Sequence, residues 1–297
     1  MNKKPERVDF SSTESTTLLP FLIEHVKGKS RNAVKSLLSR RQVTVGSKIV
    51  TQFDHPVRPG DRIAVHSLPE QSTERPAGLV IMYEDDEVIV VDKPAGMLSI
   101  ADAKGTMKNA YAILTEHARE SGGRIFVVHR LDRETSGVMV YAKTAEAKHA
   151  LQENWNDAVL SRTYLAIVEG VVDDEEGVVE SWLREAKTYM MYSSLTAGDG
   201  LHAVTRFRVL DRKAKFSLLE IELETGRKNQ IRVHMKDIGH CVAGDRKYGA
   251  KTDPLHGLAL HAHVLAFSHP SSGREMRFES PPPAEMTRDG FRACDRL

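Results

Sequence analysis

In a chain of 297 residues, the segment from 127 to 143, VVHRLDRETSGVMVYAK, concentrates side chains that can do chemistry. An apolar strand is expected to end at His129-Arg130-Leu131-Asp132; a polar loop follows, and Gly137 returns the chain to a second apolar strand. Side chains two apart on an extended backbone share a face, so Arg130 and Asp132 are expected to point together into a cleft. A guanidinium beside a carboxylate favours its ionised form by about 1–3 pH units, which suits Asp132 to nucleophilic work near neutral pH. The same Arg-x-Asp, taken alone, also describes a structural ion pair that closes a hairpin.

Other chemistries lack their residues. There is no G-x-x-x-x-G-K-[ST] loop, no G-x-G-x-x-G after a strand and no G-x-S-x-G elbow, so nucleotide cofactors and serine-hydrolase catalysis have no framework. The thirteen histidines include His261-Ala-His263, which projects two imidazoles from one face of a strand without a spaced acidic partner. Cys241 and Cys294 are too few for a disulfide framework or a zinc site. Neither metal nor cofactor is expected, and the acidic runs at 85–87 and 173–176 read as solvated loops.

The elements that must hold Asp132 follow from periodicity. GLVIMYEDDEVIVVDKP gives two strands around an acidic turn, and GVMVYAK, RTYLAIVEG, AVTRFRVLD and FSLLEIELE are strand-like. Helical patterns fall at 106–120, 144–157 and roughly 227–238. Many strands and few helices, without regular alternation, predict an α+β domain around a central mixed or antiparallel sheet over 79–297.

Ahead of it, after a polar tail at 1–14, residues 15–68 read as a small helix–helix–β module. Thr17 is placed to cap a helix bearing Leu19, Leu22, Ile23 and Val26, and Ser30 to cap a second with Val34, Leu37 and Leu38 as its buried stripe. A polar, proline-bearing stretch at 69–78 is the expected linker. The net charge of +1 hides an asymmetry: residues 1–78 carry 13 basic against 8 acidic side chains, and the remainder 29 against 33. Attraction for phosphate is therefore concentrated at the N-terminal end. No apolar run is long enough to span a bilayer and the first residues lack a signal peptide's apolar stretch, so a soluble, cytoplasmic protein is expected.

Taken together, HRLDRETSG resembles the signature of the RluA-type family of pseudouridine synthases. VIVVDKPAGMLSI, RTYLAIVEG, TGRKNQIRVHMKDIGHCVAGDRKYG and LHAHVLAFSHP are similar to further family segments in order and spacing, over about residues 79–283. The front module resembles, more loosely, the αL RNA-binding domain found in a ribosomal small-subunit protein, through Ser30-Arg31, Val43-Thr44-Val45 and Pro59-Gly60-Asp61.

The resemblance implies an isomerase acting on uridine in structured RNA without cofactor or metal, with large-subunit ribosomal RNA as first choice of substrate, transfer RNA as second, and a monomeric enzyme. By the same resemblance Asp132 is the attacking residue, at the sugar's anomeric carbon or by first assisting loss of a sugar proton; the sequence does not choose between these routes. Arg130 would fill the space an extruded base vacates, Tyr164 would pack against that base, and Arg227 would pair with Asp132. Many members have a Thr-His pair where this chain has Lys228-Asn229, which leaves the histidine's role without a bearer. In the small module Arg31, Lys35, Arg40 and Arg41 are the candidates for phosphate contacts. The competing reading is a non-catalytic RNA-binding or ribosome-assembly factor with the same fold.

Overall fold

The computed structural model describes residues 7–39, 42–46, 48–50, 52–66, 78–101, 109–120, 122–153 and 155–294. Arg40 and Arg41 and nearly all of the expected linker lie outside the described residues. The chain divides into two compact units: Met1–Ala77 with Ile113–Ile125, and Gly78–Ala112 with Phe126–Leu297.

In the first unit, helices Leu18–His25 and Arg31–Ser39 bury Leu18, Leu19, Phe21, Leu22, Val34, Leu37 and Leu38 in one core with Val43, Val57 and Ile63. Ile23, one of the apolar residues at helical spacing on the first helix, is 40% exposed. Ser30 does cap the second helix, its Oγ accepting from Ala33 N at 3.3 Å. Thr17 makes no side-chain cap; the N–H groups of Leu18 and Leu19 go instead to the carbonyls of His55 and Phe53, both at 2.9 Å. Within the expected polar tail, Arg7–Ser11 is a strand paired antiparallel with Arg62–His66. Its partner strand, buried at Ile63 and Ala64, supplies the register that the polar sequence of the tail does not announce.

The second unit is built on an 11-stranded sheet. From one edge its strands are Met191–Ser194, Glu176–Glu185, Leu201–Lys213, Phe216–Leu223, Val159–Glu169, Leu260–Ser268, Ser136–Ala142, Val88–Lys93 and Val80–Glu84, with Glu275–Glu279 and Phe126–Val127 paired to the side. Pairing is antiparallel except at Ser136–Gly137 against His261–Ala262, so the sheet is mixed, in an α+β arrangement. That parallel contact is very close: a Cβ on Gly137 would lie 2.1 Å from the Ala262 carbonyl oxygen, and its φ of 114° is itself a glycine conformation. This is the physical reason for the glycine that follows the Asp132 loop. Helix Ala145–Glu153 packs Ala147 and Leu151 against Val88, Val90, Val138 and Val140, and helix Gln230–Asp237 packs Ile231 and Met235 with Leu165, Ile167 and Leu219. The strands Glu176–Glu185 and Met191–Ser194 were not expected from sequence; their exposed polar residues mask the alternation of an outer ribbon.

Candidate active site

Asp132 sits on a loop and not at a strand end, because the strand closes at Val127. What takes over from the ladder is a single hydroxyl. Ser99 Oγ donates to the Leu131 carbonyl at 2.8 Å and accepts from Leu131 N at 3.1 Å, so both backbone polar groups beside Asp132 are satisfied by one buried side chain. Lys93, fully buried, donates from Nζ to the carbonyls of Met97 at 2.8 Å, Pro94 at 3.0 Å and Arg133 at 3.2 Å. Gly96 N adds a bond to Arg133 O at 2.9 Å. Burial pulls the Lys93 ammonium down to about 8, against the charges of Glu134, Asp132 and Asp92, which leaves it protonated at neutral pH. The VDKPAGMLS segment is thus a clamp on the Asp132 loop.

The carboxylate faces a cavity of about 1010 Å³, lined also by Arg130, Arg162, Tyr164, Arg227 and Ile231. Its partners come from the segment after Thr225. Asn229 Nδ2 donates to Asp132 Oδ2 at 2.5 Å, and an Arg232 terminal nitrogen lies 3.3 Å from the same oxygen. Arg232 is fixed by a bidentate pair with buried Asp245, Nε to Oδ2 at 2.6 Å and the second terminal nitrogen to Oδ1 at 2.7 Å, beneath the ring of Tyr248. Burial disfavours the guanidinium charge, but the hydrogen bond and charge of Asp245, and then Asp132, outweigh it and hold Arg232 above its usual range.

Asn229 is equally constrained. Its φ of 53° places it in the left-handed region that asparagine tolerates better than most residues, and its Oδ1 accepts from Tyr248 Oη at 3.0 Å and Lys247 Nζ at 3.4 Å. With the amide oxygen occupied by two donors, the amide nitrogen is the group turned to Asp132. Tyr164 lines the cavity with its hydroxyl pushed up to about 12 by removal from water; nearby Arg162 opposes this and Asp132 adds to it, so the phenol is protonated at neutral pH.

One expected pairing is corrected, and the alternative ion pair of Arg130 is not formed. Arg227 does not hold Asp132: it precedes the helix, which begins at Gln230, and its Nε donates to the His202 carbonyl at 2.9 Å. The arginine five residues further on, Arg232, takes that place. Nor does Arg130 pair with Asp132; among the described residues no ion pair or hydrogen bond joins them, and Arg130 is exposed at the cavity lining because the loop does not keep strand alternation. Ile231 lines the cavity, whereas Val233 packs into the core with Leu183 and Met191. His261 and His263 both bond the Ser280 carbonyl, at 3.1 and 2.9 Å. Among the described residues no group of three or more His, Cys, Asp or Glu is placed to hold a metal ion, and no helix is long and apolar enough to cross a membrane.

Residues 87–237, which contain the Asp132 loop, its clamp and the Asn229–Arg232 turn, match the family model for RNA pseudouridylate synthase. An uncharacterized RNA pseudouridine synthase of Bacillus subtilis, YlyB, is 36% identical over 296 residues, covering 94% of this chain and 96% of that one. The chain belongs to the RNA pseudouridylate synthase family. As a pseudouridine synthase it is an isomerase that converts uridine to pseudouridine in RNA. Ribosomal large subunit pseudouridine synthase D of Neisseria meningitidis is 34% identical, over 93% of this synthase and 81% of that protein. In fold the synthase is similar to human RNA pseudouridylate synthase domain containing 4, with a TM-score of 0.58 and 24% identity over 73% of this chain and 92% of that one.

The sequence reading of this synthase missed Arg232, Asn229, Asp245 and Ser99. A signal existed for the first: an arginine inside the apolar run QIRVHM must be buried, a buried guanidinium needs a carboxylate, and GDRKYG offers Asp245 in a glycine-bounded loop. Ser99 left no such signal, since its role depends on two segments meeting 32 residues apart.

Proposed function

We propose that Asp132 is the nucleophile of this synthase, and that its substrate is large-subunit ribosomal RNA. The observation that carries the first part is a carboxylate that opens on a cavity large enough to admit a nucleotide while a buried guanidinium and an amide grip the same oxygen, Oδ2. The other oxygen is left for the substrate. Target uridine enters by extrusion from its stack, at a cost of a few kcal/mol. Tyr164 stacks on the everted uracil, and its protonated hydroxyl is available to move a proton as the ring is reattached through carbon. Arg130, unpaired with Asp132 and exposed at the cavity lining, takes the vacated space in the RNA. Arg162 and Arg227 are tied to the backbone carbonyls of Glu224 and His202 and leave guanidinium hydrogens for the phosphates on either side of the target.

The choice of RNA rests on relatives: besides the Neisseria protein, ribosomal large subunit pseudouridine synthase D of Nitrosomonas europaea is 36% identical over 86% of this chain and 78% of its own length. In the smaller unit, exposed Arg31 and Lys35 on helix Arg31–Ser39 are phosphate contacts that add affinity without reading sequence. The enzyme works as a cytoplasmic monomer. Mapping pseudouridines in cells with and without the protein tests the substrate: a site in large-subunit ribosomal RNA that vanishes with the gene supports it, and an unchanged ribosomal map with a lost transfer-RNA site refutes it.

A further inference from the structure

The strands Glu176–Glu185 and Met191–Ser194 are joined by a tight turn in which Ala186 N donates to the Met190 carbonyl at 2.8 Å and Tyr189 N to the Ala186 carbonyl at 2.9 Å. At its tip Tyr189 has φ 60°, left-handed backbone that is strained for a bulky side chain and free of strain for glycine. The ring gains no burial in return, for Tyr189 is 74% exposed. An aromatic residue held in a glycine conformation with its ring in water contributes nothing evident to folding.

Its surroundings are cationic and lead to the nucleophile. Lys228 Nζ lies 6.0 Å from the ring centroid, and Lys228 lines the cavity. Lys247 Nζ donates to the Tyr189 carbonyl at 3.3 Å and reaches Asn229 Oδ1 at 3.4 Å, whose amide nitrogen bonds Asp132. Lys187, on the same turn, is exposed. Lys228 shares its charge with Glu185; the ammonium of Lys247 has neutral oxygens as its hydrogen-bond partners. An exposed π-face with ammonium groups beside it, linked through Lys247 and Asn229 to Asp132, is the arrangement that binds an unstacked base and its phosphates.

We propose that Tyr189 is a stacking platform for a nucleobase neighbouring the target uridine in RNA, with Lys187 and Lys247 meeting the adjoining phosphates. Extruding one nucleotide deprives its neighbours of a stacking partner, and the Tyr189 ring replaces it. The inference rests on the RNA-modifying reading above and adds to it a second base site outside the cavity.

The test uses the full chain and a short single-stranded uridine-rich RNA carrying 2-aminopurine at each position in turn, a base whose fluorescence is quenched by stacking. Wild type and Tyr189→Phe are expected to quench one position besides that of the target uridine, which Tyr164 covers. Tyr189→Gly, which suits φ 60° and so preserves the turn, is expected to lose that quenching and to weaken binding roughly 5- to 100-fold, with an unchanged salt slope because no charge is removed. RNA bound equally well by Tyr189→Gly, with the same quenching at every position, overturns the platform and leaves the enzyme reading standing. Self-association that depends on Tyr189 while RNA binding does not would also overturn it, making the ring a protein contact. No binding of this single strand by wild type also overturns the platform and leaves the enzyme reading to activity on ribosomal RNA.

Discussion

Asn229 stands where many family members have histidine, and its replacement isolates what holds the nucleophile. Asn229→Ala removes the 2.5 Å donor to Asp132, takes the acceptor from Tyr248 Oη and leaves Lys247 with the Tyr189 carbonyl alone. A hydrogen bond to a charged group contributes about 1.5–3 kcal/mol. If that interaction is fully expressed in the transition state, kcat falls roughly 10- to 100-fold, at about 1.4 kcal/mol per factor of ten. The backbone confuses this comparison, because alanine at φ 53° adds about 1 kcal/mol of strain. Asn229→Gly removes the amide without that strain. Steady-state kcat and KM, measured beside thermal unfolding, should therefore show equal losses of kcat in the two variants, KM nearly constant, and the larger loss of stability in Asn229→Ala. Asn229→Asp supplies a sharper signature. It sets a second carboxylate against Asp132 among Arg232, Lys247, Lys93, Tyr164 and Tyr248, where two negative charges repel, so the acid limb of kcat moves to higher pH. Values of kcat within about twofold of wild type in both Asn229→Ala and Asn229→Gly, with an unmoved acid limb in Asn229→Asp, would refute the reasoning.

Three further outcomes follow from the packing. Gly137→Ala places a methyl 2.1 Å from the Ala262 carbonyl oxygen at φ 114°, and the loss of the parallel contact should lower the unfolding free energy by several kcal/mol, read by denaturant titration; a loss under about 1 kcal/mol contradicts the register. His234, fully buried between Ser181 and Thr205, is pushed down to about 4 by burial, against an unfolded value near 6.5. The unfolded chain therefore takes up a proton first, and stability present above pH 6.5 drains away as pH falls towards 4, by on the order of 3 kcal/mol; His129, pushed down to about 3 by burial and then by Arg162, adds in the same direction. Urea midpoints that stay flat between pH 7 and 4.5 would count against both. Lys93→Met removes the donor of three carbonyls around the Asp132 loop and should reduce both stability and kcat, with RNA affinity little changed; wild-type kcat in a stably folded variant would deny the clamp a catalytic consequence.

What the sequence disclosed and what it withheld divide along physical lines. The near-continuous apolar runs of Val88–Lys93 and Ser136–Ala142, the alternating Phe216–Leu223, and the paired helices with Val34, Leu37 and Leu38 buried are readable because burial alone fixes those positions. Arg7–Ser11 and Glu176–Glu185 are not, because an edge or outer strand is specified by its partner more than by its own residues. In the site, Asp132 and Tyr164 were found through motif resemblance and do line one cavity. The pairing of Arg227 with Asp132 rests on resemblance alone, and nothing in the sequence shows that the chain passes through a left-handed turn at Asn229 before the helix that carries Arg232. Spacing along a chain gives the order of such residues; hydrogen-bond satisfaction in three dimensions gives their pairing.

The central claim is that the Asp132 carboxylate performs the attack, and Asp132→Asn tests it most directly. The amide keeps the side chain's shape and its place in the loop but lacks the charge and the nucleophilic oxygen. Single-turnover conversion of uridine to pseudouridine in ribosomal RNA should fall below detection, while the dissociation constant for the same RNA stays within a few-fold of wild type. Conversion at the wild-type rate by Asp132→Asn would contradict the account.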